Sequence, residues 1–276
     1  VTARSDAGFR WGDLAVRVAS AGVLAPLGLA AIWLGGPVWG AALAIIAAGL
    51  GLEWAGLCSI DMRSPRGFGV AAALILAGGA AEYLSALAGL FVVGVGSVLA
   101  SLIARRGSAG VGVIYIGAGY LSLILLRRSE SGLADVLFVV LVVWGCDIGA
   151  YLFGRLIGGP RLAPRLSPGK TWAGAAGGLL CGTLTGLSVA WRFGTWGDGL
   201  VATLFIAAGL SLIAQAGDLL ESAIKRHFGK KDSGSLIPGH GGLLDRLDGL
   251  IAAAPAAYLL SLAATPGKPV WEWGLH

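Results

Sequence analysis

A succession of long apolar runs, broken only by short polar stretches, constrains this chain more than any other feature. Runs extend from Leu14 to Leu34, Val38 to Leu57, Ala109 to Leu126, Leu133 to Phe153, Trp172 to Trp191, Leu200 to Ile224 and Leu243 to Ala264. As helices, each is long enough to cross a hydrocarbon core of roughly 30 Å. The stretch from Phe68 to Ala104 is too long for one crossing, and Glu82 with Tyr83 interrupts it, so it divides into two. Only 13% of the residues are charged, about half the share in a soluble domain, so an ordinary soluble fold is excluded. The 47 glycines suit helices that approach closely in a bilayer. The expectation is an all-α polytopic bundle of about nine transmembrane helices. It forms a single domain over residues 1–276, with catalytic elements concentrated in 144–250. The length of the first run, after Arg4, Arg10 and Arg17, favours a retained helix over a cleaved signal.

Charge orients the bundle, because short cytoplasmic loops collect Lys and Arg. With nine crossings and a cytoplasmic N-terminus, the inner segments hold sixteen of the 20 basic residues. Arg127, Arg128, Arg192 and Lys268 are left outside. The net charge of +5 is therefore topogenic, and nucleic acid is not expected as a partner. Cys58, Cys146 and Cys181 lie far apart in apolar surroundings and read as small buried hydrophobes.

Charge inside a span costs about 2.5 to 3.5 kcal/mol on insertion scales and marks function by default. Glu53, Glu82 and Asp135 read as helix ends dipping into the headgroups, whereas Asp147 lies well inside its span. Gln215, Asp218, Glu221, Ser222 and Lys225 follow one another in steps that line one helical face. Asp245 and Asp248, three apart, present carboxylates to one side of the next helix. Carboxylates converging from several helices suit a hard divalent cation such as magnesium, through Asp218, Asp245 and Asp248. The alternative is a structural salt-bridge cluster with Lys225, Arg226 and Arg246. Between the two helices run Lys225, Arg226, His227, Lys230 and Lys231, then Pro238, Gly239, His240, Gly241 and Gly242, a basic stretch and glycine turn suited to a polyphosphate. His240 reads as a phosphate or leaving-group contact. A second loop carries Arg161, Arg165, Ser167, Lys170 and Thr171; its glycines and prolines exclude continuous helix. Ser167 and Thr171 are placed to cap the next helix or touch a ligand. With Asp147 upstream, this loop is expected to wall the site from the other side.

Ser222, Lys225, Arg226, Lys231, Asp232, Pro238, Gly239, His240, Gly241, Gly242, Asp245, Arg246 and Asp248 closely resemble the signature of the phosphatidate cytidylyltransferase family. Asp147, Ala150, Tyr151, Gly154, Arg155 and the run from Ser167 to Trp172 resemble its upstream elements. The family's common S-P-K-K-T-x-E-G form stands here as Ser167 to Gly174 with Gly169 for one lysine and Ala173 for the glutamate. The first five spans resemble the family only in hydropathy. The resemblance implies transfer of CMP from CTP to phosphatidate, giving CDP-diacylglycerol and pyrophosphate, with a magnesium requirement and room for a second cation. It further implies a homodimer in a bacterial inner membrane. Asp218, Lys225, Asp245 and Asp248 are then catalytic, with Asp147, Lys170, Ser222, Arg226, Lys231, His240, Gly241, Gly242 and Arg246 on the substrates. A CTP-dependent lipid kinase is the competing enzyme, and a transporter the competing reading from another class.

Overall fold

A computed structural model describes residues 11–197, 199–234, 236, 241–264 and 267–272, without the side chains of 11–21. Arg4, Arg10, Pro238, Gly239 and His240 lie outside the described residues, as does the Arg17 side chain. Nine helices are present among the described residues: α1 Trp11–Leu34, α2 Gly36–Leu57, α3 Pro65–Tyr83, α4 Ala86–Ala104, α5 Gly107–Arg127, α6 Gly132–Leu156, α7 Trp172–Arg192, α8 Gly199–His227 and α9 Leu244–Ala263. The expected division near Glu82 falls between α3 and α4. There Ser85 caps α4, its Oγ accepting from Ala88 N at 3.1 Å. Ser64 does the same for α3, followed by Pro65 in the first turn, where a missing N–H costs nothing.

Seven helices, α2 and α4 to α9, are long and apolar enough to cross a membrane by length and composition. Contacts at the two ends of the bundle show that α3 traverses it as well. At one end, Lys230 donates to Gly56 O at the close of α2, Arg226 Nε donates to Leu166 O, and Gly67 at the start of α3 packs against Asp61 and Met62. At the other, Arg127 Nε donates to Ile32 O, Arg128 to Ala81 O near the close of α3, and Ser131 Oγ to Lys268 O. The alternation of ends that charge predicted is thus present in the packing.

Between α6 and α7 the segment is not irregular throughout. Arg161–Ala163 (β1) and Ser167–Thr171 (β2) pair antiparallel, Arg161 against Thr171. Thr171 Oγ1 then accepts from Gly174 N at 3.0 Å and caps α7, while Ser167 belongs to β2. The core is built by close helix approach. A Cβ on Gly178 of α7 would stand 2.9 Å from Cys146 O on α6, and one on Gly119 of α5 would stand 2.8 Å from Ile251 Cα on α9. Cys58 and Cys146 are buried and Cys181 partly so, and all three are free thiols. Leu76, Leu87, Phe91, Leu102, Val201 and Phe205 face outward, as a lipid-facing surface requires.

Two of the interrupting acids, though near helix ends, are enclosed by protein rather than exposed at its surface. Asp135 is fully buried; its Oδ1 accepts from Val270 N at 2.7 Å and its Oδ2 from Ser131 Oγ at 2.7 Å. Glu53 is also fully buried and accepts from Leu243 N and Leu244 N. A carboxylate that satisfies free backbone donors inside the protein has no need of the interface.

Candidate functional site

A cavity of about 560 Å³ opens where the cleft-side ends of α6, α7, α8 and α9 meet the β1–β2 hairpin. Its charged lining is Asp147 and Arg155 from α6, Lys170 from β2, Asp218 from α8, and Asp245, Arg246 and Asp248 from α9. Tyr151, Thr171 and Gln215 complete the polar wall. Local structure explains the convergence. The hairpin swings Lys170 over the cleft, where Nζ meets Asp218 Oδ2 at 2.5 Å. Gln215 Nε2 donates to Ala175 O at 3.3 Å, tying α8 to α7 one turn deeper.

Carboxylate oxygens of Asp218, Glu221 and Asp248 lie within 4.8 Å of one another. Here the structure differs from the expected set: Glu221 joins Asp218 and Asp248, and Asp245 is engaged elsewhere. Lys225 Nζ sits between Asp245 Oδ1 at 2.6 Å and Glu221 Oε2 at 2.7 Å. Asp245 Oδ2 accepts from Ser233 N and Gly242 N, both at 3.1 Å. Glu221 shares the helical face of Asp218, one turn of α8 away, and that spacing is its signal in the sequence.

The remaining site residues divide. Asp147, Lys170 and Arg246 line the cleft as expected. Ser222 is buried behind it and is not part of the lining. Arg226 is exposed, donating to Leu166 O and to Lys230 O at 3.1 Å, so it fastens the hairpin to the end of α8. Lys231 is exposed on the loop. Gly241 takes φ +83°, open to glycine at little cost, and Gly242 is packed so tightly that a Cβ would overlap Ser233 Oγ. Arg155 Nη1 donates to Tyr151 Oη at 3.0 Å, which holds both side chains at the rim.

The donor set fits a divalent cation. Three carboxylates share one small volume, Glu221 and Asp248 are buried, and Glu221 Oε1 has no hydrogen-bond partner among the described residues. Such a grouping is costly until a cation balances it. Beside it stand Lys170, Lys225, Arg155 and Arg246, cations that suit phosphate oxygens.

A polytopic helical bundle with an acid-and-base cleft sunk into one end is an architecture suited to a membrane enzyme. The sequence agrees in detail: the model of the cytidylyltransferase family matches residues 15–263, and the chain belongs to that family. It is 42% identical over 272 residues to the phosphatidate cytidylyltransferase of Brucella suis, covering 93% of this chain and 97% of that one. The Brucella abortus protein of that name is 43% identical over 261 residues, 90% of this chain and 93% of its own. The Staphylococcus saprophyticus protein is 45% identical over 148 residues, covering 54% and 56%.

Proposed function

We propose that this chain is a phosphatidate cytidylyltransferase, a nucleotidyltransferase that moves CMP from CTP to phosphatidate and releases pyrophosphate. The observation that carries the reading is the cleft: Asp218, Glu221 and Asp248 grouped beside Lys170, Arg155 and Arg246 at one end of a membrane-embedded bundle. Membership of the cytidylyltransferase family and the near full-length relatives support it.

In the reaction a phosphatidate oxygen attacks the α-phosphorus of CTP, the P–O bond to the β-phosphate breaks, and pyrophosphate leaves. The nucleophile is already anionic, so the protein's task is to position groups and neutralise charge rather than to remove a proton. Asp218, Glu221 and Asp248 would hold magnesium, which supplies charge neutralisation to phosphate oxygens. Lys225 keeps Asp245 and Glu221 in place. Lys170, Arg155 and Arg246 face the cleft and contact phosphates. Ile148, Tyr151 and Leu152 on α6 are exposed beside the cleft, an apolar flank along which diacyl chains can stay in the bilayer.

The cleft faces the cytoplasm of a bacterial inner membrane in this proposal, because the loops at its end carry the basic residues. The homodimer implied by the resemblance belongs to the same proposal and is tested by cross-linking in native membranes. Purified protein incubated with phosphatidate, magnesium and labelled CTP is expected to yield pyrophosphate and a labelled lipid. CDP with an unlabelled lipid phosphate, the outcome of a kinase, would overturn the assignment.

A further inference from the structure

We propose that Glu53, in the half of the chain that carries none of the signature, is a positioning residue for the cleft. It fixes the start of α9, and through it Asp245 and Asp248. The proposal rests on the reading of the cleft as the cytidylyl-transfer site.

Glu53 lies near the close of α2 and is fully buried. Its Oε1 accepts from Leu243 N at 2.8 Å, and its Oε2 accepts from Leu244 N at 2.9 Å and from Ser233 Oγ at 3.1 Å. α9 has no side-chain cap of its own at Leu243. The free donors of its first turn are instead met by a carboxylate 190 residues earlier in the chain, where a negative charge also complements the helix dipole. Ser233 carries the link onward: its hydroxyl donates to Glu53 while its backbone N–H donates to Asp245. Gly234 lies so close that a Cβ there would stand 2.7 Å from Glu53 Oε1. Lys230 adds a second tie from the same loop to Gly56 O. Two acids of the cleft wall, Asp245 and Asp248, therefore have their place set by α2. Glu53 itself is not part of the cavity lining.

Glutamine at this position keeps the shape but offers one acceptor oxygen, so its amide nitrogen must face a backbone donor. Asp135 supplies the control. It is equally buried and accepts a backbone N–H, but at the opposite end of the bundle and, among the described residues, without a hydrogen bond to the cleft lining. In the full-length protein, Glu53→Gln is expected to lower kcat about 10- to 100-fold, the range for residues that orient a metal's ligands. It should also raise the magnesium concentration for half-maximal rate and speed amide exchange across residues 241–248. Asp135→Asn is expected to lower the thermal midpoint while leaving kcat per folded molecule and exchange at 241–248 unchanged. If Glu53→Gln does not fold, Ser233→Ala removes only the hydroxyl link and supplies the same readouts. Wild-type turnover and exchange in the folded variant, or an equal kcat loss in Asp135→Asn, would overturn the proposal. A wild-type protein that transfers no CMP would sink the functional reading instead, and amide exchange alone would then decide the role of Glu53.

Discussion

Replacing Lys225 by methionine isolates what holds the cleft's charges in balance. Lys225 Nζ lies 2.6 Å from Asp245 and 2.7 Å from Glu221, with side chains 13% exposed for the lysine and 1% for Glu221. At an effective dielectric of about 20, each contact is worth about 6 kcal/mol of Coulomb attraction before desolvation. Most of that offsets the cost of burying the three charges. Removing the cation alone leaves two acids uncompensated beside Asp218 and Asp248, and breaking such a buried group costs about 3 to 5 kcal/mol. The thermal midpoint in detergent should fall by on the order of 10 °C. The informative comparison is the triple variant Lys225→Met, Glu221→Gln, Asp245→Asn, in which the stranded charges are also removed. It should regain at least half of the lost stability and none of the lost turnover, since contacts within one network are not additive. A single variant as stable as wild type, or a triple variant no more stable than the single, would refute the reasoning.

Asp248→Asn preserves volume at a buried position and should leave membrane insertion and thermal midpoint near wild type while cutting cytidylyl transfer by more than about 100-fold, because even indirect supports of a metal are worth 10- to 100-fold. Chelation should abolish transfer and added magnesium restore it; Asp218→Asn should then need more magnesium for half-maximal rate, measured by pyrophosphate release. Gly178→Leu inserts bulk where even a Cβ would meet Cys146 O at 2.9 Å, and should cost about 1 to 3 kcal/mol, seen as a lowered midpoint with little change in KM for CTP.

Periodic features of this molecule were legible because their physics is local. Apolar length marks a crossing, and the polar interruption at Glu82 and Tyr83 marks a turn that Ser85 completes with a cap. The row from Gln215 to Lys225 needs only the helical repeat, and Asp147, Lys170, Asp218, Arg246 and Asp248 do meet in one cleft. Where partners lie far apart in sequence, spacing alone does not name them. Asp245 and Asp248 share a helix side, but Lys225 and two backbone amides claim Asp245, and Glu221 takes the place beside Asp248. Glycine and proline excluded a helix after α6 without disclosing the pairing of Arg161 with Thr171.

Glu53 and Asp135 show why an acid in an apolar run cannot be placed by its run alone. Both are carboxylates with the insertion cost of a charged group, and both are fully buried. Each recovers that cost by accepting backbone N–H groups that the fold would otherwise leave unpaired, Glu53 at the start of α9 and Asp135 at Val270. The two sit at opposite ends of the bundle, so they close it in different ways. Asp135 fastens a segment in which Trp271 packs on Phe138 at a centroid distance of 4.6 Å, a contact that concerns stability alone. Glu53 fastens a loop and helix that carry the cleft's acids. The same chemistry is therefore structural at one end and, in our proposal, catalytic in consequence at the other, and the backbone N–H that donates the hydrogen bond distinguishes them.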